Sequence, residues 1–531
     1  MLKLKEKSIL WSIKHVNKYS DTNIFPLPFE FEAINHYLDE VVEYLKTLDV
    51  YSEGIRPYRK TIVPKSDVGF RIATQLDPID TIITNAIIYE ISEDIENSRI
   101  KTSEQKVFSY RLKPLKDGTL YDENCNWNLF NKKTKEYSEN NIFQYVIVTD
   151  IADFYPSIYL HDIERVLRES VVNSGKKAHA EVIIKMIKAM HLHQTHKGLP
   201  IGPQLSRPIA EMILTDIDRD MLSNKIEFVR YVDDYRIFCK TKNEAYSTLA
   251  YLAQFLYNHR GLKLNENKTK ILSIDDFIIQ YPRIFRETVH DKVLLQFEEL
   301  FEKLGISISP YDDIDEDILK KLQKDDAFKD LNSLGLLKEE LTRNKLDYGF
   351  INFLINNLSK IDNTELANYI LDNKNMQRLF PSLKSIINYF DRVRSFSPTQ
   401  KHSIGKRVIE ILNESFISEL SFNRSWLLNI FTKNDEWNNQ ASLTKLLKKL
   451  EDPFAKRELM LCLGRSKNTT YYRRNKTQEM TSLNPWVKRA FIAGISCLPK
   501  EERVPWYKSR QLVNRDYLEK LIENWASKHP F

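Results

Sequence analysis

The sequence predicts an α+β fold whose first half mixes strands with helices and whose second half is all helix. Three observations predict it. Glycine is scarce, 13 in 531 residues, so chain breakers are few and helices should dominate. Short apolar runs of strand length alternate with amphipathic helical patterns up to about residue 290. Beyond that point strand signals fade, and Leu, Ile, Asn and Lys recur at helical spacing to the C-terminus.

Taken in order, residues 28–47 and 77–95 carry apolar positions at helical spacing, the second with a proline near its start. Residues 143–149 (FQYVIVT) are a nearly continuous apolar run, read as a buried strand that delivers Asp150 at its end. A Gly-Pro-rich loop then leads into a helix starting near Gln204. Residues 226–240 (IEFVRYVDDYRIFCK) place Asp233 and Asp234 between two aromatic, strand-forming runs, the pattern of a β-turn-β. Residues 261–271 form a turn and short strand bearing Lys263, Lys268 and Lys270. Further on, 347–359, 376–392, 404–420, 438–449, 485–497 and 513–527 are helix candidates, with 309–318 as a join or early loop. Helix pairs of this kind stack into α-solenoids; no fixed period is visible, so a degenerate repeat and a plain bundle both remain open. The expected domains are 1–290 and 291–531.

A chain this long exceeds one ordinary domain, and its 42% hydrophobic and 29% charged residues are those of a globular protein. The net charge of +6 permits nucleic-acid binding through a local patch without demanding it. Cys125, Cys239, Cys462 and Cys497 lie far apart with no C-x-x-C pair, which argues against a disulfide framework or a zinc site. No stretch approaches a membrane span, and the N-terminus lacks an apolar signal core, so a cytoplasmic protein without a membrane partner is expected.

Four segments share one chemistry. In VTDIADFYPSI, Asp150 ends a strand, where the sheet fixes a carboxylate and the Ile151 carbonyl can face the same ion. In HKGLPIGPQLSRPIAEMIL, a tight turn through Gly202 lets backbone approach a base or sugar closely. The Asp233-Asp234 hairpin and the Lys268 turn complete the set. Singly, each has an ordinary reading as a solvated strand end, a helix entry, a surface turn or a lysine-rich face. Their order and spacing resemble the palm of a reverse transcriptase. Residues 59–87 are similar to that family's fingers segment, and VFSYRLKP (107–114) to the short aromatic-Arg motif that follows. The resemblance covers roughly 55–285.

It implies a right-hand polymerase palm and fingers, followed here by a HEAT-like helical-repeat domain. It also implies two-metal phosphoryl transfer with Asp150, Asp233 and Asp234 as catalytic and metal-holding carboxylates, assisted by the Ile151 carbonyl. The ion would be Mg²⁺, with Mn²⁺ as its substitute. Lys65 and Arg71, with Arg59 and Lys60 nearby, match positions that grip the triphosphate. Tyr155 matches the residue that sits against the sugar C2′ and selects dNTPs. Gly202 would face the nascent base pair, and Lys268 would donate a proton to pyrophosphate. Ile201 in LPIG, SYRL in the aromatic-Arg motif and the helical second half bring the chain closest to bacterial defence reverse transcriptases of the abortive-infection and unknown-group types. The expected partners are dNTPs, an RNA template or non-coding RNA, a single-stranded DNA product and further copies of the chain. Synthesis is expected to be RNA-templated or template-independent, with protein priming as one route. The rival readings are an RNA-dependent RNA polymerase, which Tyr155 opposes, and an inactive nucleic-acid-binding scaffold, which the three retained acids oppose. In the second half, 465–476 mixes Arg, Lys and two tyrosines; it is a candidate single-strand contact or a solvated loop.

Overall fold

A computed structural model describes residues 1–171, 174–190, 196–281, 284, 333–344, 346–360, 362–433, 435–437, 440–476, 483–509 and 516–531. The expected join at 309–318 lies outside them. The fold is α+β with an all-helical C-terminal region. The chain divides into two compact units. One comprises Met1–Asp21, Val42–Arg56 and Asp80–Phe328; the other comprises Thr22–Val41, Pro57–Ile79 and Lys329–Phe531.

The first unit is built on a four-stranded antiparallel sheet. Its strands are β3 (Tyr145–Asp150), β4 (Glu227–Tyr231), β5 (Asp234–Cys239) and β6 (Lys270–Ser273), in spatial order β4-β5-β3-β6. Both faces are covered, which is why β3 reads as a continuous apolar run rather than an alternating one. On one face Val146, Phe238, Val229, Tyr231 and Leu272 pack with Phe108 and Phe130 into an aromatic core. The Lys242–Arg260 helix lies against β3 and β5. Residues Lys106–Phe108 extend the β4 edge, with Arg230 N–H donating to Lys106 O (2.7 Å) and Phe108 N–H to Arg230 O (3.1 Å). The sequence stretch read as one helix over 77–95 is the helix Pro78–Asn97.

In the second unit, β1 (Arg59–Pro64) and β2 (Phe70–Gln75) form an antiparallel hairpin with Arg59 opposite Gln75 and Val63 opposite Arg71. The 28–47 pattern is two helices, Glu30–His36 and Leu38–Thr47, broken at Tyr37, where ψ reaches 40°. The helix candidates at 376–392 and 404–420 are each interrupted by a 3₁₀ turn, at Phe380–Ser382 and Phe416–Glu419. Helices beginning at Tyr348, Leu383, Ser421, Pro453, Pro485 and Tyr517 each pack on the next. The last three start 32 residues apart, and their N-caps Asp452, Asn484 and Asp516 each accept a backbone N–H of the first turn. A repeat is therefore present, in register at its capping positions. Residues 465–476 are not a loop throughout: Thr469–Asn475 is a helix, with Tyr472 fully buried, Arg473 paired with Glu502, and Lys467, Thr470, Arg473 and Arg474 exposed. All four cysteines are free thiols, and no described helix is long and apolar enough to cross a membrane.

Candidate active site

Asp150 and Asp234 face each other across the sheet, because the antiparallel register of β3 and β5 pairs them directly. Beyond Asp150 the backbone is held: Ile151 bridges Leu264, Ala152 N–H donates to Lys263 O (2.8 Å), and Asn265 N–H donates to Asp150 O (2.7 Å). The Lys268 turn is thus laced to the strand end that carries the first carboxylate. The Lys268 ammonium sits on Asp150 Oδ2. Burial alone would lower the lysine pKa, but pairing with Asp150 and the charges of Asp234 and Asp233 outweigh it and raise the pKa.

Only Val232 and Asp233 separate β4 from β5. Val232 adopts φ +56°, a conformation that two-residue hairpins demand and that a β-branched side chain resists. Such strain costs about 1–3 kcal/mol and persists only where the surroundings impose it. Here Val232 N–H donates to Ser109 Oγ (2.9 Å), and Arg230 Nη1 donates to Val232 O (2.7 Å). Both holders belong to a buried charge network. Ser109 Oγ donates to Glu211 (2.6 Å), and Arg230 pairs with Glu211 (3.0 Å) and with Asp218 (2.8 and 2.5 Å). Arg99 reaches Glu211 at 2.7 Å. Arg230 and Glu211 are wholly inaccessible to solvent; burial would lower the Arg230 pKa, but Asp218 and Glu211 hold the guanidinium charged.

The turn presents Asp233 to two other carboxylates. Burial, then the charges of Asp150 and Asp234, push its carboxyl well above the usual range. Among the described residues no group of three or more His, Cys, Asp and Glu forms a ready metal cage. Polymerase Mg²⁺ sites need none, since one or two carboxylates share the ion with substrate phosphates and water. The residues fit such an ion: their donors are hard oxygens, their mutual repulsion calls for positive charge, and the Lys268 ammonium already occupies that role at Asp150.

Tyr155 is tied to the Gly202 loop through its backbone, since Leu199 N–H donates to Tyr155 O (2.8 Å) and Gly198 N–H to Ile158 O (2.8 Å). Gly202 has φ +125°, which only glycine adopts readily. Burial, then Tyr110, keeps the Tyr155 hydroxyl protonated. Asp150, Ile151, Asp233, Asp234, Tyr155, Gly202 and Lys268 all belong to the first unit, and Lys65 and Arg71 to the second. Lys65 and Arg71 are exposed on the β1–β2 hairpin. Arg59, expected beside them as a triphosphate ligand, is buried and bonded to Gln75 instead. Sequence reasoning did not single out Ser109, Glu211, Asp218 or Arg230. For the three charged ones the signal was present as charges inside otherwise apolar stretches, Arg230 within FVRYV and Glu211 and Asp218 within PIAEMILTDID.

Residues 63–308 match the reverse transcriptase (RNA-dependent DNA polymerase) family. No curated protein sequence matches the chain. Among solved structures the chain is similar to telomerase from Candida albicans in complex with a fragment of telomeric RNA. That alignment has 11% identity, covers 80% of this chain and 72% of that one, and has a TM-score of 0.32. Apo telomerase from Candida tropicalis aligns at 11% identity over 81% and 72%, with a TM-score of 0.34. Both scores are low, so the assignment rests on the family match and the site. Residues 63–308 thus match a reverse transcriptase domain, and that match supports RNA-directed DNA polymerase activity.

Proposed function

We propose that the chain joins deoxynucleotides at the site formed by Asp150, Asp233 and Asp234. The observation that carries this reading is the strained hairpin presenting Asp233 beside the Asp150–Asp234 pair, with a cation already drawn to Asp150. Divalent ions bound there, Mg²⁺ or in its stead Mn²⁺, supply Lewis-acid activation of the attacking 3′ oxygen and neutralise the leaving pyrophosphate. Asp150, Asp233 and the Ile151 carbonyl would hold them, and Asp234 supports the pair. Lys65 and Arg71 bind the triphosphate, Tyr155 excludes a 2′-hydroxyl, Gly202 lets the backbone approach the base pair, and Lys268 gives its proton to pyrophosphate.

The polymerase region over 1–290, the helical repeat over 291–531, the Ile201 variant and the SYRL motif support a role in antiviral defence. Synthesis there would be RNA-templated or template-independent, with a protein hydroxyl as one primer. Four free thiols fit the cytoplasm, and we expect the chain to act as a homo-oligomer. The test is purified protein with Mg²⁺ and each labelled dNTP or NTP, with and without RNA, beside Asp233→Asn. Incorporation of dNTPs lost in the variant supports the reading; equal signal in both overturns it. Protease treatment of the product reads attachment to protein, and sedimentation reads the oligomer.

A further inference from the structure

An isolated two-stranded hairpin is marginally stable in water, so β1–β2 takes its conformation from whatever grips its base. Both ends of the hairpin are held by one helix, Pro485–Gly494. Trp486 Nε1 donates to Pro57 O (2.7 Å), just before β1, and Arg489 Nη1 donates to Asp77 (2.6 Å), just after β2. Between them Arg59 donates to its cross-strand partner Gln75, and its guanidinium lies 4.6 Å from the Phe454 ring and 4.4 Å from the Trp486 ring. Gln75 in turn donates to Pro26 O (3.3 Å). Arg489 also reaches Glu30 (3.1 Å), where it meets Arg457 (2.7 Å).

The two arginines are 32 residues apart, as are Phe454 and Trp486, so successive repeats supply equivalent side chains: D-P-F-A-K-R and N-P-W-V-K-R. These groups are buried, whereas the far half of the hairpin is open, with Val68 83% and Phe70 55% exposed.

We propose that the C-terminal helical repeat sets the triphosphate affinity of the polymerase by anchoring this hairpin, with Arg59 and Trp486 as positioning residues. This rests on the reading that Lys65 and Arg71 bind the triphosphate. The chemistry favours it: planar guanidinium stacked between two rings and forked onto an amide tolerates little rotation, so the strand that carries Arg59 inherits a fixed direction. Within its own unit the repeat then fixes the direction of the strands that carry Lys65 and Arg71.

The test is steady-state kinetics of the full chain with Mg²⁺ and a single dNTP. Trp486→Phe keeps an aromatic ring and removes the donor to Pro57; Arg59→Lys keeps the charge and removes the fork. Each is expected to raise KM for the dNTP about fivefold, the loss of one buried hydrogen bond, with kcat within about twofold. Lys65→Ala and Arg71→Ala should raise KM directly, and if neither does, the hairpin is not the triphosphate site. If they do while folded Trp486→Phe and Arg59→Lys leave KM unchanged, the anchoring proposal is overturned and the triphosphate reading stands. Hydrogen exchange reads the anchor without kinetics or variants: in the wild-type chain, β1–β2 amides should be protected alongside those of Pro485–Gly494. Hairpin amides exchanging at loop rates beside a protected helix overturn it as well.

Discussion

Replacing Ser109 with alanine removes one oxygen and tests whether the Val232–Asp233 turn is held under strain. Ser109 Oγ accepts from Val232 N–H at 2.9 Å and donates to the buried Glu211 carboxylate at 2.6 Å. A neutral hydrogen bond contributes about 0.5–1.5 kcal/mol and one to a charged group about 1.5–3, so Ser109→Ala should cost about 2–4.5 kcal/mol of stability. The turn itself stores about 1–3 kcal/mol at Val232. With Ser109 gone, one hydrogen bond from Arg230 opposes that strain, and the turn should relax and displace Asp233. A loss of about 1.4–2.8 kcal/mol of transition-state stabilisation is a 10- to 100-fold fall in kcat. KM for the dNTP should stay within about twofold, because the hairpin that bears Lys65 and Arg71 is untouched. The assay is primer extension under saturating dNTP, paired with thermal denaturation. A double-mutant cycle with Val232→Gly isolates the strain: glycine accepts φ +56° freely, so the two changes should couple by about 1 kcal/mol or more. Folded Ser109→Ala with wild-type kcat, or strict additivity in the cycle, would refute the reasoning.

Other expectations follow from the same groups. Asp233→Asn should abolish incorporation yet raise the melting temperature in chelator at pH 8, since it removes a charge whose burial, and then whose repulsion by Asp150 and Asp234, raise the Asp233 pKa; Mg²⁺ should stabilise wild type more than the variant. Tyr155→Ala should admit ribonucleotides, read as at least about a tenfold gain in NTP over dNTP incorporation. His15 is buried with Nδ1 on Gly118 O, and desolvation pushes its pKa down to about 4. The unfolded chain, with a value near 6.5, binds the proton first, so stability should fall as pH drops from about 6.5 to 4, by roughly 3 kcal/mol in all. Chemical denaturation across that range should show the loss in wild type, and a His15→Leu variant that loses as much would sink the assignment.

The three acids were legible in sequence because each sits where a local pattern fixes it: one at the end of an apolar strand, two at the tip of a hairpin. The helix breaks at Tyr37 and before Leu383 were not, since helical periodicity continues through both and packing decides where the axis turns. The two tyrosines of 465–476 divide in a way the sequence did not show. Tyr471 and Tyr472 beside arginines suggested a stacking surface, but helix geometry sends Tyr472 inward to the Met460 carbonyl and leaves Arg473 to a distant glutamate.

What the sequence by itself determined is which residues are candidates for a site, since motif spacing within single strands and turns already places Asp150, Asp233, Asp234, Tyr155 and the glycine loop. Only tertiary structure decided how these are held. The clamp on Val232 draws on residues 99, 109, 211, 218 and 230, and the hairpin anchor draws on residues 30, 59, 77, 457, 486 and 489. Buried charges must find partners, and those partners come from wherever the fold brings opposite charge together, at separations no local pattern records.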